Sequence, residues 1–250
     1  MEERGPAAYV AEFIGTFTLV LFITAAVSLY VTPAAPGGPA AFIDFSVIGL
    51  VHVFVLFMLI QTLAVVSGAH FNPAVTVAMA AMRQIRPPDA VIYIVSQLAG
   101  AVAGTLVTKA LLTEFKNADA VHYGATAMSD KIGEKVGLGM LAEGIGAFFL
   151  VWVIVGVAVN PRAAKDWAAF AIGATLGMLV MVIAPLTGAG FNPARAFGPA
   201  LVSGEWGSAS DFILVYVLAP VIGALLAAVI YFNLVLAPGA KEPGGMEPVG

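Results

Sequence analysis

"SGAHFNPAVT" occupies Ser67–Thr76, and "TGAGFNPARA" occupies Thr187–Ala196, 120 residues further along the chain. Both place Asn-Pro-Ala inside strongly apolar sequence. Proline lacks an N–H, so it is best tolerated in the first turn of a helix, where that donor would be unpaired anyway. Asn suits the position just before, because its side-chain oxygen can accept from an orphan N–H of the first turn. Each copy therefore predicts a helix that opens abruptly, at Asn72 and at Asn192. A single Asn-Pro-Ala would be only a helix-opening turn; two matched copies, each with a glycine a few residues earlier, mark a site.

The surrounding composition says where such helices live. Of 250 residues, 60% are hydrophobic and only 10% charged, and mean hydropathy is +0.98. Soluble domains carry roughly a quarter charged residues, so this is an integral, multi-pass membrane protein. Without cysteine it has neither a disulfide framework nor a thiolate metal site. Net charge is −4, with no basic run to bind nucleic acid. No Cys/His cluster, Ser-His-Asp set or phosphate loop is present, so no enzyme, metal or cofactor is expected. The start, "MEERGPAAYVAEFIG", sets acids before its apolar stretch and reads as a retained span rather than a signal peptide.

A bilayer core takes about 20 apolar residues of helix. Six stretches qualify: Ala7–Tyr30, Phe45–Val66, Ala90–Leu112, Gly137–Val159, Trp167–Leu186 and Phe212–Leu236. The stretches opened by Asn-Pro-Ala, Pro73–Met82 and Pro193–Val202, hold ten residues each. At 1.5 Å per residue they reach about 15 Å, half a membrane. Between spans lie a Pro/Gly connection (Thr32–Ala41), a charged one (Thr113–Val136) and a short turn (Asn160–Asp166). Residues 237–250 read as a flexible tail. Arg4, Arg83, Arg86, Arg162, Lys165 and Lys241 fall on one side, against Lys109, Lys116, Lys131 and Lys135 on the other. That balance favours cytoplasmic termini.

The chain also repeats itself. "AEFIGTFTLVLFI" from Ala11 matches "AEGIGAFFLVWVI" from Ala142 at an offset of 131, and "QLAGA" at Gln97 matches "PVIGA" at Pro220 at 123. One domain thus divides into repeats of about 7–112 and 137–236, each with three spans and a half-span. Three is odd, so the second repeat enters the membrane from the opposite face, and the site falls between the halves. Broken backbone at membrane depth must lie inside protein or along a watery cavity. The two half-helices then meet N-terminus to N-terminus, each carrying about +0.5 charge. With each Asn oxygen held by its cap, the NH₂ is free to donate into a lumen. Such a midpoint repels cations and turns a passing water's oxygen toward the two amides, which interrupts proton relay.

These residues resemble those of the aquaporin (major intrinsic protein) family: both Asn-Pro-Ala boxes (Asn72, Pro73, Ala74; Asn192, Pro193, Ala194), the Arg after the second, and the paired "AEF" and "AEG" starts. The match runs from Ala11 to Phe232. The resemblance implies an all-α bundle of six helices plus two half-helices, a homotetramer with one pore per subunit, and passive conduction. The family's constriction positions, matched by spacing, fall on His52, Val180, Ala189 and Arg195. Strict water channels typically combine an aromatic with His there. This chain's His52 and Val180 are similar to the plant vacuolar type, some of which also pass ammonia. Glycerol facilitators typically follow the second box with "RD" and line the constriction with aromatics; here Arg195 precedes Ala196. Tyr216-Val217 ahead of Pro220 departs from the Tyr-Trp or Phe-Trp of many water-type members.

Glu12 and Glu143 sit two to three turns into apolar spans. The resemblance implies that they brace the re-entrant loops through backbone N–H groups; the alternative is a proton relay in a coupled transporter. His70 is expected to make a structural hydrogen bond, and His122 with Asp119 to be solvated. Gly15, Gly146, Gly100, Gly104 and Gly223 are expected at close helix crossings, and Gln97 is expected to bond across spans. The sequence thus predicts a passive channel in the cell membrane for water, with ammonia and urea next and glycerol less favoured. A non-conducting adhesion protein would need neither asparagine nor Arg195.

Overall fold

The computed structural model describes residues 4–32 and 42–237. Most of the Thr32–Ala41 connection, Lys241 and the tail beyond 237 lie outside them. Six helices of 20 to 28 residues are long and apolar enough to cross a membrane: α1 (Pro6–Tyr30), α2 (Phe45–Ser67), α4 (Pro87–Leu111), α6 (Val136–Val159), α7 (Ala168–Thr187) and α9 (Ala209–Leu236). Between them lie two half-length helices, α3 (Pro73–Ala81) and α8 (Pro193–Ser203), and a short α5 (Lys116–Ala120). After α1, Val31–Thr32 pairs antiparallel with Phe42–Ile43.

Several ends differ from the sequence reading, for local reasons. α4 begins at Pro87, three residues early, because two prolines and Asp89 form its first turn, where missing N–H groups cost nothing and a carboxylate suits the helix dipole. α9 begins at Ala209, since its polar first turn carries no apolar signal. α8 runs on to Ser203 and is stopped by Gly204 in the left-handed region, φ 79°. The end of α6 and two stretches of α9 are π-wound.

The two halves interlock. In the first, α1 packs on α4 and α2; in the second, α6 packs on α9 and α7. α2 and α7 join the halves, α8 lies against α4, and α3 lies against α9. Each half-helix is therefore seated on the last span of the opposite half. The α1–α4 crossing is close because a Cβ on Gly100 would lie 2.5 Å from Phe13 O, and one on Gly104 2.5 Å from Phe17 O. At the α6–α9 crossing a Cβ on Gly223 would lie 2.1 Å from Gly144 O. Gly15 and Gly146 do something else: they face phenyl rings of the re-entrant turns.

Candidate functional site

Each re-entrant turn repeats one backbone path. Gly68, Ala69 and Phe71 have φ of 87°, 54° and 49°; Gly188, Ala189 and Phe191 have 77°, 51° and 51°. Non-glycine residues rarely hold positive φ, and they do so only where the surroundings enforce it. Here two seats enforce it. The Phe71 and Phe191 rings are fully buried over Gly15 and Gly146, where a Cβ would lie 2.0 Å from a ring carbon in both cases.

The second seat is a carboxylate. Glu12 Oε1 accepts from Ser67 Oγ (2.7 Å) and His70 N (2.9 Å), and its Oε2 from Phe71 N (2.7 Å) and Gln97 Nε2 (2.8 Å). Glu143 Oε1 accepts from Thr187 Oγ1 (2.6 Å) and Gly190 N (2.8 Å), and its Oε2 from Phe191 N (2.6 Å). Tyr93 and Tyr216 donate to the Ser67 and Thr187 carbonyls at 2.7 and 2.9 Å. These tyrosines, 123 residues apart like Gln97 and Pro220, were legible from the repeat but carry no motif that draws notice.

At the centre the asparagines cap and cross-link. Asn72 Oδ1 accepts from Ala74 N at 2.9 Å; Asn192 Oδ1 accepts from Ala194 N at 3.0 Å and Arg195 N at 3.3 Å. Asn72 Nδ2 donates to Phe191 O at 3.0 Å, and Asn192 Nδ2 to Phe71 O at 2.8 Å. The sequence reading left both NH₂ groups free. Instead, one proton of each ties it to the opposite turn, which leaves one for the lumen.

A cavity of about 380 Å³ passes along both asparagines. Its apolar wall obeys the repeats: Leu19 and Leu150 line it, 131 apart, as do Leu56 and Leu176, 120 apart. His52, Ala189 and Arg195 also line it. Val180 does not: it is 1% exposed, in the apolar cluster that holds Ala189 and Phe191. It sits one helical turn beyond Leu176, so it continues the lining stripe just past the wall's end. Glu12 and Glu143 are absent from the wall too.

His52, 2% exposed, holds Ile48 O 2.7 Å from its Nδ1. A carbonyl only accepts, so Nδ1 carries the proton and Nε2 is a bare acceptor. Arg195, 4% exposed, donates from Nη1 to Gly124 O at 2.9 Å, while its Nε–H has no protein partner among the described residues. Gly124 belongs to an arch the sequence reading missed: His122, Tyr123 and Gly124 have φ of 51°, 50° and 75°. Buried Tyr123 pins the arch by donating to Asp119. Burial and the Asp119 carboxylate push its phenol up to about 12, so it stays a donor. His122 is exposed, and His70 Nδ1 lies 3.1 Å from Thr76 Oγ1. Among the described residues no His/Asp/Glu group could hold a metal ion.

Residues 4–231 match the family model "Major intrinsic protein". A "Glycerol uptake facilitator protein-like 6" of Lactiplantibacillus plantarum is 38% identical over 222 residues, covering 88% of this chain and 94% of that one. A "Probable aquaporin AqpM" of Archaeoglobus fulgidus is 36% identical over 235 residues, covering 89% and 94%. The solved aquaglyceroporin of Plasmodium falciparum superposes with a TM-score of 0.77 at 22% identity, covering 93% of this chain and 97% of that one. The chain thus has relatives over nearly its whole length. The chain belongs to the major intrinsic protein family, whose members are passive membrane channels and not enzymes.

Proposed function

We propose that the chain conducts water first, with ammonia and urea next and glycerol less favoured, and that it blocks protons and ions. The observation that carries this reading is the reciprocal bonding of Asn72 and Asn192, which holds two helix N-termini side by side along one cavity. Their partial positive charges and remaining amide protons oppose cations and favour a solute oxygen or nitrogen lone pair. His52, Ala189 and Arg195 set the constriction, with Val180 flanking it. Among the described residues the only aromatics on the wall besides histidine are Phe71 and Phe191. That supports water over glycerol, which the family's facilitators grip with aromatic sides. The relatives' names include both aquaporin and glycerol uptake, so the preference rests on these side chains.

Glu12 and Glu143 act as braces rather than a proton relay, since their oxygens are taken up by the turns and neither meets the lumen. The chain works as one domain of two repeats, in the cell membrane with cytoplasmic termini, as a homotetramer in the lipid bilayer. Reconstituted protein should speed stopped-flow shrinkage of vesicles for water most, ammonia and urea less, and glycerol least, equally with and without a pH gradient. Flux that needs the gradient would overturn the channel reading. Glycerol flux equal to water flux would overturn the preference.

A further inference from the structure

A second pair of polar side chains faces the same cavity at the end where the N-terminus lies. Thr76 Oγ1 has a single proton, which it donates to Asn72 O at 3.1 Å. It also accepts from Gln97 Nε2 at 2.9 Å. Toward His70 Nδ1 it can therefore only accept, so Nδ1 carries the imidazole proton and Nε2 is bare. Among the described residues no hydrogen bond is made to that Nε2, and a Cβ on Gly68 would lie 3.6 Å from it and 3.9 Å from Arg4 Nη2. His70, Gly68 and Arg4 all line the cavity. Arg4 is not a loose end. Its main-chain N donates to Asp89 Oδ2 at 3.4 Å, and the Tyr9 hydroxyl lies 2.8 Å from Arg4 O and 2.7 Å from Asp89 Oδ1. Asp89 is 3% exposed.

We propose that Arg4 and His70 form a second solute-binding station, chemically matched to Arg195 and His52 at the other end. It takes a small neutral molecule that accepts from a guanidinium N–H and donates to an imidazole nitrogen: water, ammonia or urea. The 16 residues from His52 to Gly68 separate the stations by about 24 Å of helix. Each station pairs a fixed cation with a tautomer-locked acceptor, one tautomer set by Ile48 O and the other by Thr76 Oγ1. This inference rests on the cavity being the conduction path.

Stations in series mask one another, so the test uses two backgrounds. Water and urea permeabilities are measured in proteoliposomes for the unaltered chain, Arg195→Val, Arg4→Met and the double variant. Arg195→Val should raise urea relative to water; adding Arg4→Met, which removes the donor to the urea oxygen, should lower it by about fivefold, the factor one ordinary hydrogen bond is worth. Arg4→Met alone should change it less, and Arg4→Lys in the Arg195→Val background should leave the single-variant ratio. In that background His70→Phe should slow water, and His70→Gln, which keeps an acceptor, should restore it. A double variant equal to Arg195→Val, or His70→Phe equal to His70→Gln, overturns the second station and leaves the pore reading intact. An Arg195→Val channel with unaltered permeabilities overturns both.

Discussion

The two re-entrant turns share a backbone and diverge at four of ten positions. Ser67, His70, Val75 and Thr76 in the first stand where Thr187, Gly190, Arg195 and Ala196 stand in the second. The shared residues set φ, the cap and the phenyl seat; the divergent ones decide which atoms a solute meets. A histidine is accommodated at 70, whereas a Cβ on Gly190 would lie 2.9 Å from Glu143 Oε2. The first brace recruits a neutral donor, Gln97, where the second has Pro220 in sequence and the Arg195 charge close enough to act on Glu143. The two copies share the frame and differ in the lining on each side of it.

The largest effects should come from the braces. Glu12→Gln and Glu143→Gln each orphan a buried backbone N–H, at a cost of about 1–3 kcal/mol. Glu143→Gln should cost more, because it also strips counter-charge from buried Arg195. Thermal unfolding in detergent reads this; equal losses would mean the Arg195 charge does not matter to the brace. A variant that folds and expresses normally yet has lost all transport would revive the proton relay.

Next come the phenyl seats. Gly15→Ala and Gly146→Ala press a methyl group into a buried ring and should each cost about 1–3 kcal/mol. The two losses should agree, since the 2.0 Å approach is the same in both copies. Unequal unfolding temperatures would show that the copies are not mechanically equivalent. Tyr93→Phe and Tyr216→Phe, each deleting one hydroxyl bond, should cost about 1 kcal/mol apiece. Tyr216 sits in a π-wound turn; a clearly smaller loss there would mark its bond as the weaker one. The smallest effect is expected of Val180→His, which should lower ammonia and urea flux modestly and water flux less. A large drop in all three would place residue 180 in the narrowest ring after all.

Much of this was legible in the chain because membrane burial makes polar residues conspicuous. Asn72, Asn192, Glu12, Glu143, His52 and Arg195 stand out against apolar neighbours, and the offsets pair the two asparagines and the two glutamates. Residues whose role is expressed through main-chain atoms did not stand out. Gly124 matters for its carbonyl, and nothing about "HYG" announces that it will receive Arg195. Arg4 looked like a surface charge, because hydropathy cannot tell that Asp89 and Tyr9 hold the terminus over the cavity. The occupied protons of the asparagine amides depend on how closely the halves approach, which is a tertiary distance. Val180 fell outside the wall for a related reason: spacing gives its stripe along α7, but not where the cavity ends.

The seating of α3 against α9 bears on how the molecule is assembled during synthesis. The first Asn-Pro-Ala segment precedes four of the six described spans, yet the surface that covers it belongs to α9, the sixth of them. Until α9 docks, the segment's buried face, Ala78 included (0% exposed), lacks that cover. The natural chain has no cysteine, so an Ala78→Cys variant reports on one position alone. Membrane-inserted chains ending before Ala209 should react with a small thiol reagent there, and full-length chains should be protected. Equal protection would mean that the first half closes by itself. The expected difference would place closure of the first half at the docking of α9 rather than at the insertion of α3 itself.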